Sequence, residues 1–122
     1  ADSRADFFAR ADVLTLHLRL SDSTRHLITA EDLALMKPDA LLVNTSRAEL
    51  LAPDALEAAL KAGRPGAAAI DVFETEPLPP TASLLQLENL IATPHLGYVE
   101  QDSYEIYFRP LFEAIAGYAQ AS

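Results

Sequence analysis

The sequence has no cysteine, and its hydrophobic runs are short. The first absence excludes disulfide bonds and thiolate chemistry, and it is compatible with the reducing cytoplasm, where we expect the protein to work. The second argues against a membrane partner, because no run approaches the ~20 unbroken apolar residues of a membrane-spanning helix. The polar first residues, Ala1-Asp2-Ser3-Arg4, also lack the pattern of a signal peptide.

Positively charged side chains are scarce. Nine lysine and arginine residues face eighteen aspartate and glutamate residues, so the formal net charge is −9. A surface this acidic repels a phosphate backbone, and we expect no nucleic-acid partner. The charge does not exclude a bound dinucleotide, because local backbone amides and one or two cations can hold one against the overall field.

Glycine is also scarce. The four glycines, Gly63, Gly66, Gly97 and Gly117, cannot form a G-x-G-x-x-G motif. That motif wraps the pyrophosphate of a dinucleotide at a strand–turn–helix junction. These residues alone therefore cannot hold a dinucleotide in the usual manner.

Half of the residues are hydrophobic, which argues against a disordered chain. Four short apolar runs do not alternate with polar residues, and this predicts strands buried on both faces, as in a parallel sheet. The four runs are residues 13–16, 40–43, 67–70 and 90–92.

Helical patterns lie between the predicted strands. Residues 30–36 form one, with Thr29 as its N-cap. Residues 53–62 form another, with Pro53 in its first turn and Gly63 just after its end. The alternation of strands and helices predicts right-handed βαβ units and an α/β fold.

A C-terminal helix is predicted from residue 100 onward by an apolar stripe, which has to dock on another apolar surface. Pro110 lies inside this helix and is expected to kink or split it. The proline-rich segment 74–83 is predicted to be an ordered extended loop. The stripe consists of Tyr104, Phe108, Leu111, Phe112, Ile115 and Tyr118.

The predicted strand at 13–16 has no partner on its outer side within the chain. An exposed apolar edge favours association with another chain. We therefore expect a homo-oligomer, either a dimer or a swapped assembly, formed through this sheet edge or through the tail helix.

Polar residues with catalytic potential follow the predicted strands, at the sheet edge where open α/β folds bind ligands. His95 is the candidate acid–base group, because histidine exchanges protons near neutral pH. Arg47 carries a planar guanidinium suited to a carboxylate, and Glu76 could orient the His95 ring. Together the three could polarise and protonate a ketone beside a carboxylate.

Each candidate has a plainer interpretation. A single histidine at a strand end is more often solvated, and an isolated Arg47 or Glu76 is more often a surface charge. Asp71 ends a predicted buried strand and could merely cap a loop. A Ser46–His95–Asp71 hydrolase triad is conceivable, but Ser46 lacks a G-x-S-x-G elbow.

No metal site is predicted from the sequence. The remaining histidines, His17 and His26, show no metal-ligand spacing.

These residues resemble signatures of the D-isomer-specific 2-hydroxyacid dehydrogenase family over nearly the whole chain. The matching segments are, in chain order, 11–18, 24–28, 36–47, 69–78 and 93–97. The last three are similar to the family signatures that carry the substrate-binding arginine, the catalytic glutamate and the catalytic histidine. Three ordered signatures at family-like separations are a far more specific signal than any single residue.

The resemblance implies the C-terminal half of a Rossmann-type doubly wound parallel sheet, followed by a terminal helix. Residues 1–99 would be a partial dinucleotide-binding domain, and residues 100–122 would be the helix that returns to the substrate domain. The implied cofactor is NAD or NADP, and the implied substrate is a 2-hydroxy or 2-oxo acid. The glycine-rich first half of the nucleotide-binding domain is not found in this sequence.

The resemblance also implies a role for each site residue. Arg47 would bind the carboxylate and carbonyl of the 2-oxo acid, His95 would protonate the carbonyl oxygen, and Glu76 would hold the histidine protonated and oriented. Asp71 would lie beside the nicotinamide carboxamide. The implied cofactor-binding residues are His17, Leu18, Arg19, Thr45, Ser46, Arg47, Asp71, His95 and Gly97.

Two positions depart from the family pattern. Ala48 stands where the family usually has glycine, which predicts a tighter or shifted turn after Arg47. Arg19 stands where the family usually has proline, in the loop expected to face the adenine side of the cofactor.

Two functions follow from these observations. The first is a piece of an NAD(P)-dependent 2-hydroxyacid dehydrogenase, which we expect to be inactive as this chain alone. The second is a non-catalytic dimerisation or partner-binding module derived from the same fold, which the apolar tail and the bare sheet edge suggest.

Overall fold

Four short strands form one parallel sheet in the computed structural model, which describes residues 1–121. The strands lie side by side in chain order, so each βαβ connection joins spatial neighbours. The predicted α/β fold is confirmed, and three of the four strands have their predicted bounds. The strands are β1 (Val13–Leu16), β2 (Leu41–Asn44), β3 (Ala67–Ile70) and β4 (Leu90–Ala92).

The second strand is shifted by one residue from its prediction, because Asn44 belongs to it. Asn44 pairs with Ile70 of β3 in the ladder, and its side chain is completely buried. The strand therefore ends on a buried amide instead of an apolar residue.

Four α-helices and two short 3₁₀ turns surround the sheet. The helices are α1 (Arg4–Arg10), α2 (Ala30–Ala34), α3 (Ala55–Lys61) and α4 (Gln101–Ala121), and the 3₁₀ turns are Ala48–Leu50 and Ser83–Gln86. Thr29 is the N-cap of α2, as predicted, and it forms a reciprocal capping box with Asp32. Gly63 follows α3 with a φ of 73°, the left-handed conformation typical of the residue after a helix.

The first turn of α3 differs from its prediction. The helix begins at Ala55 with Asp54 as N-cap, so Pro53 lies in the preceding turn and not inside the helix. Asp54 has a φ of 58°, which sets the chain on a path that two residues of an ideal helix would not follow.

Helix α1 was not predicted from the sequence. Its N-cap Ser3 accepts a hydrogen bond from the amide of Asp6 at 3.0 Å, and Phe8 on its inner face is buried. The guanidinium of Arg4 donates to both carboxylate oxygens of Asp32 at 2.7 and 2.6 Å, which ties α1 to α2. The Ser3-x-x-Asp6 spacing is the sequence signal that could have revealed this helix.

The hydrophobic core lies on one face of the sheet, where residues of α1, α2 and α3 form a single cluster with alternate strand residues. The prediction of strands buried on both faces is wrong for this chain. Within residues 1–121 the helices cover one face only, and the other is half-buried at its centre and exposed at its edges, where Val13 is 61% and Ile91 is 68% exposed. We call this second surface the open face; it consists of Val13, Thr15, Leu41, Val43, Ala67, Ala69 and Ile91.

Helix α4 runs through Pro110 without a break, so the expected split does not occur. Its apolar stripe does not dock: the side chains remain exposed, with Phe112 at 63% and Tyr118 at 79%. Tyr104, Phe108 and Phe112 stack on one another along the helix, with ring centroids 5.2 and 6.3 Å apart. Among the described residues, no helix is both long and apolar enough to span a membrane.

Candidate active site

The carboxyl ends of all four strands meet at one edge of the sheet, because the strands are parallel. The loops that leave this edge carry every site residue predicted from the sequence. Three of these loops converge on Gly97: a Cβ atom at that position would lie 3.0 Å from Asp71 Oδ2 and 4.0 Å from Thr45 Cβ. The loops after β2, β3 and β4 therefore touch one another.

Glu76 and His95 form a direct pair. Glu76 Oε2 lies 2.8 Å from His95 Nδ1, and Glu76 Oε1 accepts a hydrogen bond from the Phe73 amide at 2.9 Å. The Phe73 amide and, after it, the His95 ring hold the pKa of the Glu76 carboxyl below its ordinary value. Glu76 is therefore ionised and fixed at both oxygens, and it orients the imidazole so that Nε2 is the nitrogen that can meet a ligand.

The backbone of His95 adopts a left-handed conformation with a φ of 56°. A residue other than glycine holds this conformation only where its surroundings impose it, and such residues cluster at functional sites. The side chain of His95 is 38% exposed, so the ring can both pair with Glu76 and reach a ligand.

Asp71 imposes that conformation on the His95 loop. Its carboxylate is buried and accepts hydrogen bonds from the Thr93 hydroxyl, from the Leu96 amide at 2.8 Å and from the Gly97 amide at 2.8 Å. Burial raises the pKa of Asp71, but these hydrogen bonds lower it by more, so its pKa lies below the ordinary value. Asp71 thus holds both sides of His95 in place, and the loop-capping interpretation describes its contacts.

A cavity of about 480 Å³ opens beside the Glu76–His95 pair. Its walls are mainly apolar, and the imidazole and the carboxylate are its ionisable groups. A small ligand there would meet an acid–base group in a largely apolar setting, which is the usual composition of a small-molecule site. The remaining lining residues are Phe73, Pro77, Leu78, Leu85, Ala92, Thr93 and Pro94.

Arg47 lies in a second cavity, of about 350 Å³, and not in the one that His95 lines. Its backbone is extended, and its guanidinium donates to the Ser46 carbonyl at 2.7 Å while the side chain stays exposed. The Ser46 hydroxyl donates to the Leu18 carbonyl at 3.0 Å, joining the loops after β1 and β2. The cavity is lined by His17, Leu18, Arg19, Leu20, Ser46 and Arg47.

The hydrolase triad is not formed. His95 Nδ1 pairs with Glu76 and not with Asp71, and the Ser46 hydroxyl donates to a backbone carbonyl. Nor do residues 1–121 contain a group of three or more side chains that could hold a metal ion. The ring of His17 is hydrogen-bonded to the Thr15 hydroxyl at 2.9 Å.

Comparison with known proteins supplies the family. The model of the D-isomer specific 2-hydroxyacid dehydrogenase NAD-binding domain matches residues 1–97. The chain belongs to this family. Its four-stranded sheet is accordingly part of a Rossmann-type NAD-binding domain, and the family predicted from the three signatures is confirmed.

Relatives in this family share about half of their aligned residues with the chain. The (S)-sulfolactate dehydrogenase of Chromohalobacter salexigens is 46% identical over 105 residues, which are 86% of this chain and 34% of that protein. The crystal structure of a phosphoglycerate oxidoreductase from Vibrio cholerae is 52% identical and superposes with a TM-score of 0.84, covering all of this chain and 39% of the other. The chain thus spans little more than a third of these relatives.

A third relative was solved with a cofactor. The D-isomer specific 2-hydroxyacid dehydrogenase of Xanthobacter autotrophicus is 38% identical, with a TM-score of 0.70 over 75% of this chain and 38% of its own, and its structure is a complex with NADPH and MES. The present residues fit a nicotinamide cofactor at the carboxyl edge, because the lack of a side chain at Gly97 leaves room where the three loops converge. The fit extends to this half of the crevice, since the family's glycine-rich loop is not in the sequence.

The two departures from the family pattern have different outcomes. Ala48 begins a 3₁₀ turn, and the non-glycine residues with positive φ among residues 1–121 are His26, Asp54 and His95. The turn after Arg47 therefore has no need of glycine here. Arg19 lies in the wall of the Arg47 cavity, where it adds a second guanidinium.

Sequence reasoning missed Asn44 as a site residue. Its side chain is 0% exposed and bonds to the backbone of the loop that carries Arg47. An asparagine at the end of an apolar run, three residues before the candidate arginine, is the signal that could have found it.

Proposed function

We propose that the chain is the C-terminal part of the nucleotide-binding domain of an NAD(P)-dependent dehydrogenase that interconverts 2-hydroxy and 2-oxo acids. The observation that carries this proposal is the 2.8 Å contact between Glu76 and His95, at the sheet edge where this fold binds ligands. The cytoplasm is the proposed compartment, since a chain without cysteine is suited to a reducing environment.

The proposed chemistry divides between three side chains. When bound, the nicotinamide supplies a hydride to the carbonyl carbon of the 2-oxo acid or accepts one from the 2-hydroxy acid. His95 Nε2 donates a proton to the carbonyl oxygen during reduction and takes it back during oxidation. Glu76 stabilises the protonated ring, and Arg47 binds the substrate carboxylate through its guanidinium.

The cofactor-binding residues remain proposals as well. His17, Leu18, Arg19 and Ser46 share the wall of the Arg47 cavity, which supports a cofactor near that loop. Thr45, Asp71 and Gly97 lie where the other loops converge, which supports the placement of the nicotinamide there. Asp71 Oδ2 accepts one hydrogen bond from the protein, so it has capacity left for the carboxamide.

A chimera tests the proposed activity. The 122 residues would replace the aligned segment of the Vibrio cholerae phosphoglycerate oxidoreductase, which the chain covers completely. We expect the chimera to oxidise NADH or NADPH in the presence of glyoxylate, pyruvate or hydroxypyruvate, and the 122-residue chain alone to show no turnover. A folded chimera that transfers no hydride to any 2-oxo acid would contradict the proposal.

Arg47→Gln in the chimera tests the carboxylate-binding role. The variant should lower kcat/KM for the best 2-oxo acid about 100-fold, because a charge-assisted bidentate contact is lost. It should affect the primary amide of the same acid far less, so the preference for acid over amide should fall. An unchanged preference would remove Arg47 from the substrate site.

The alternative function, an inert dimerisation or partner-binding module, is favoured by the exposed stripe of α4. We also propose that the chain forms a homo-oligomer through the outer edge of β1 or through α4. Light scattering of the 122-residue chain should give at least twice the monomer mass, and Val13→Lys or Phe112→Lys should lower it, depending on which surface is used. A monomer at high concentration would refute self-association.

A further inference from the structure

One buried amide organises the loop that carries Arg47. Asn44 Oδ1 accepts a hydrogen bond from the Ser46 amide at 3.0 Å, and Asn44 Nδ2 donates to the Arg47 carbonyl at 2.8 Å. The side chain is completely buried, and both of its polar atoms are used. A single side chain therefore spans the turn and fixes the backbone on both sides of the Ser46–Arg47 peptide.

The same residue is anchored in the sheet. Asn44 is the last residue of β2, and its carbonyl accepts a hydrogen bond from the Asp71 amide at 3.0 Å. The Arg47 loop is thus tied to the central strands, whereas the guanidinium itself is held only by the neighbouring Ser46 carbonyl. The backbone under Arg47 is rigid, and its charged end is free to turn toward a ligand.

We propose that Asn44 is a positioning residue that aims Arg47 at the substrate carboxylate. The proposal rests on the proposed function, since it requires Arg47 to bind that carboxylate. Only a side chain with a donor and an acceptor of this length can make both contacts: aspartate cannot donate, and serine is too short to span the turn. Without the clamp, the peptide before Arg47 can rotate, and small displacements of a binding group are costly to catalysis.

The test compares acid and amide substrates in the chimera. Asn44→Ala should lower kcat/KM for the 2-oxo acid about 10- to 100-fold. The primary amide, which offers Arg47 no carboxylate, should lose much less. Asn44→Ser is the second variant; it keeps a polar group in the same space and should lose the preference as well, which separates the missing clamp from a cavity.

Asn89→Ala is the matched control. Asn89 Nδ2 donates to the carbonyls of Leu60 and Gly66 at 3.1 and 3.0 Å, beside the opposite end of the sheet. This variant also loses two hydrogen bonds from an asparagine side chain to the backbone. It should keep the acid-over-amide preference, whatever it does to the melting temperature.

A double variant shows whether Asn44 acts through Arg47. In an Arg47→Gln background, Asn44→Ala should produce no further loss of preference, because the group that it positions is gone. Equal losses for acid and amide, or a loss of preference that persists without Arg47, would overturn the positioning role. If Arg47→Gln alone keeps the preference, the proposed role of Arg47 fails first; if only the Asn44 variants keep it, the positioning role fails alone.

Discussion

Replacing His95 with asparagine is expected to lower kcat/KM for 2-oxo acid reduction by the chimera about 10²- to 10⁴-fold, the range for a positioned acid–base group. The imidazole is paired through Nδ1 with a carboxylate that is itself fixed by the Phe73 amide. Asparagine can fill part of the space but cannot deliver a proton to the carbonyl oxygen. Steady-state kinetics with saturating cofactor measure the effect.

His26→Asn is the matched control for that variant. His26 has a φ of 54°, close to the 56° of His95, and asparagine tolerates this left-handed conformation. Both variants therefore impose the same backbone demand, and only one removes the proposed proton donor. A His95→Asn chimera that retains turnover within about threefold of the parent would exclude acid–base catalysis by His95.

Asp71→Ala is expected to cost the 122-residue chain about 1.5–3 kcal/mol in the free energy of unfolding, the usual range for hydrogen bonds to a charged group. The substitution leaves the Thr93 hydroxyl and the Leu96 and Gly97 amides without their acceptor. The loop that holds His95 at positive φ would then relax. Urea unfolding of both chains measures the loss, and Asp39→Ala, which removes an exposed carboxylate before β2, should cost little.

The contribution of Asp71 to stability should also depend on pH. Its pKa is lowered in the folded chain, whereas in the unfolded chain an aspartate has a pKa of about 3.9. Above that value both states are ionised, and the contribution is complete. As the pH falls toward the folded-state pKa, the unfolded state binds the proton first and the contribution is lost. The difference between the parent and Asp71→Ala should therefore shrink between pH 7 and pH 3, and a difference that grows would contradict this account.

The strands and the catalytic pair were accessible to sequence reasoning for the same reason. Apolar runs such as 67–70 are short and bounded by polar residues, so they predict both the strand and the point where it ends. In a parallel sheet all such points lie at one edge, and this is how Glu76 and His95, nineteen residues apart, could be expected to meet.

Other features depend on geometry that a sequence does not display. Strand-end position alone predicts that Arg47 joins His95, but the two line different cavities, because the turn after β2 directs Arg47 toward the loop after β1. Asn44 reads as a loop residue, and only the ladder register shows that it ends a strand opposite Ile70. One-sided burial was likewise invisible, because the number of apolar residues in a strand does not reveal how many helices will cover it.

The open face of the sheet has a thermodynamic consequence. It is formed largely by valine, leucine, isoleucine and alanine side chains, and its margins at Val13 and Ile91 lie in contact with water. Water around apolar surface has a high heat capacity, and removing that surface from water lowers it. Any domain or second chain that covers this face will therefore reveal itself in titration calorimetry by a binding enthalpy that becomes steadily more favourable as the temperature rises.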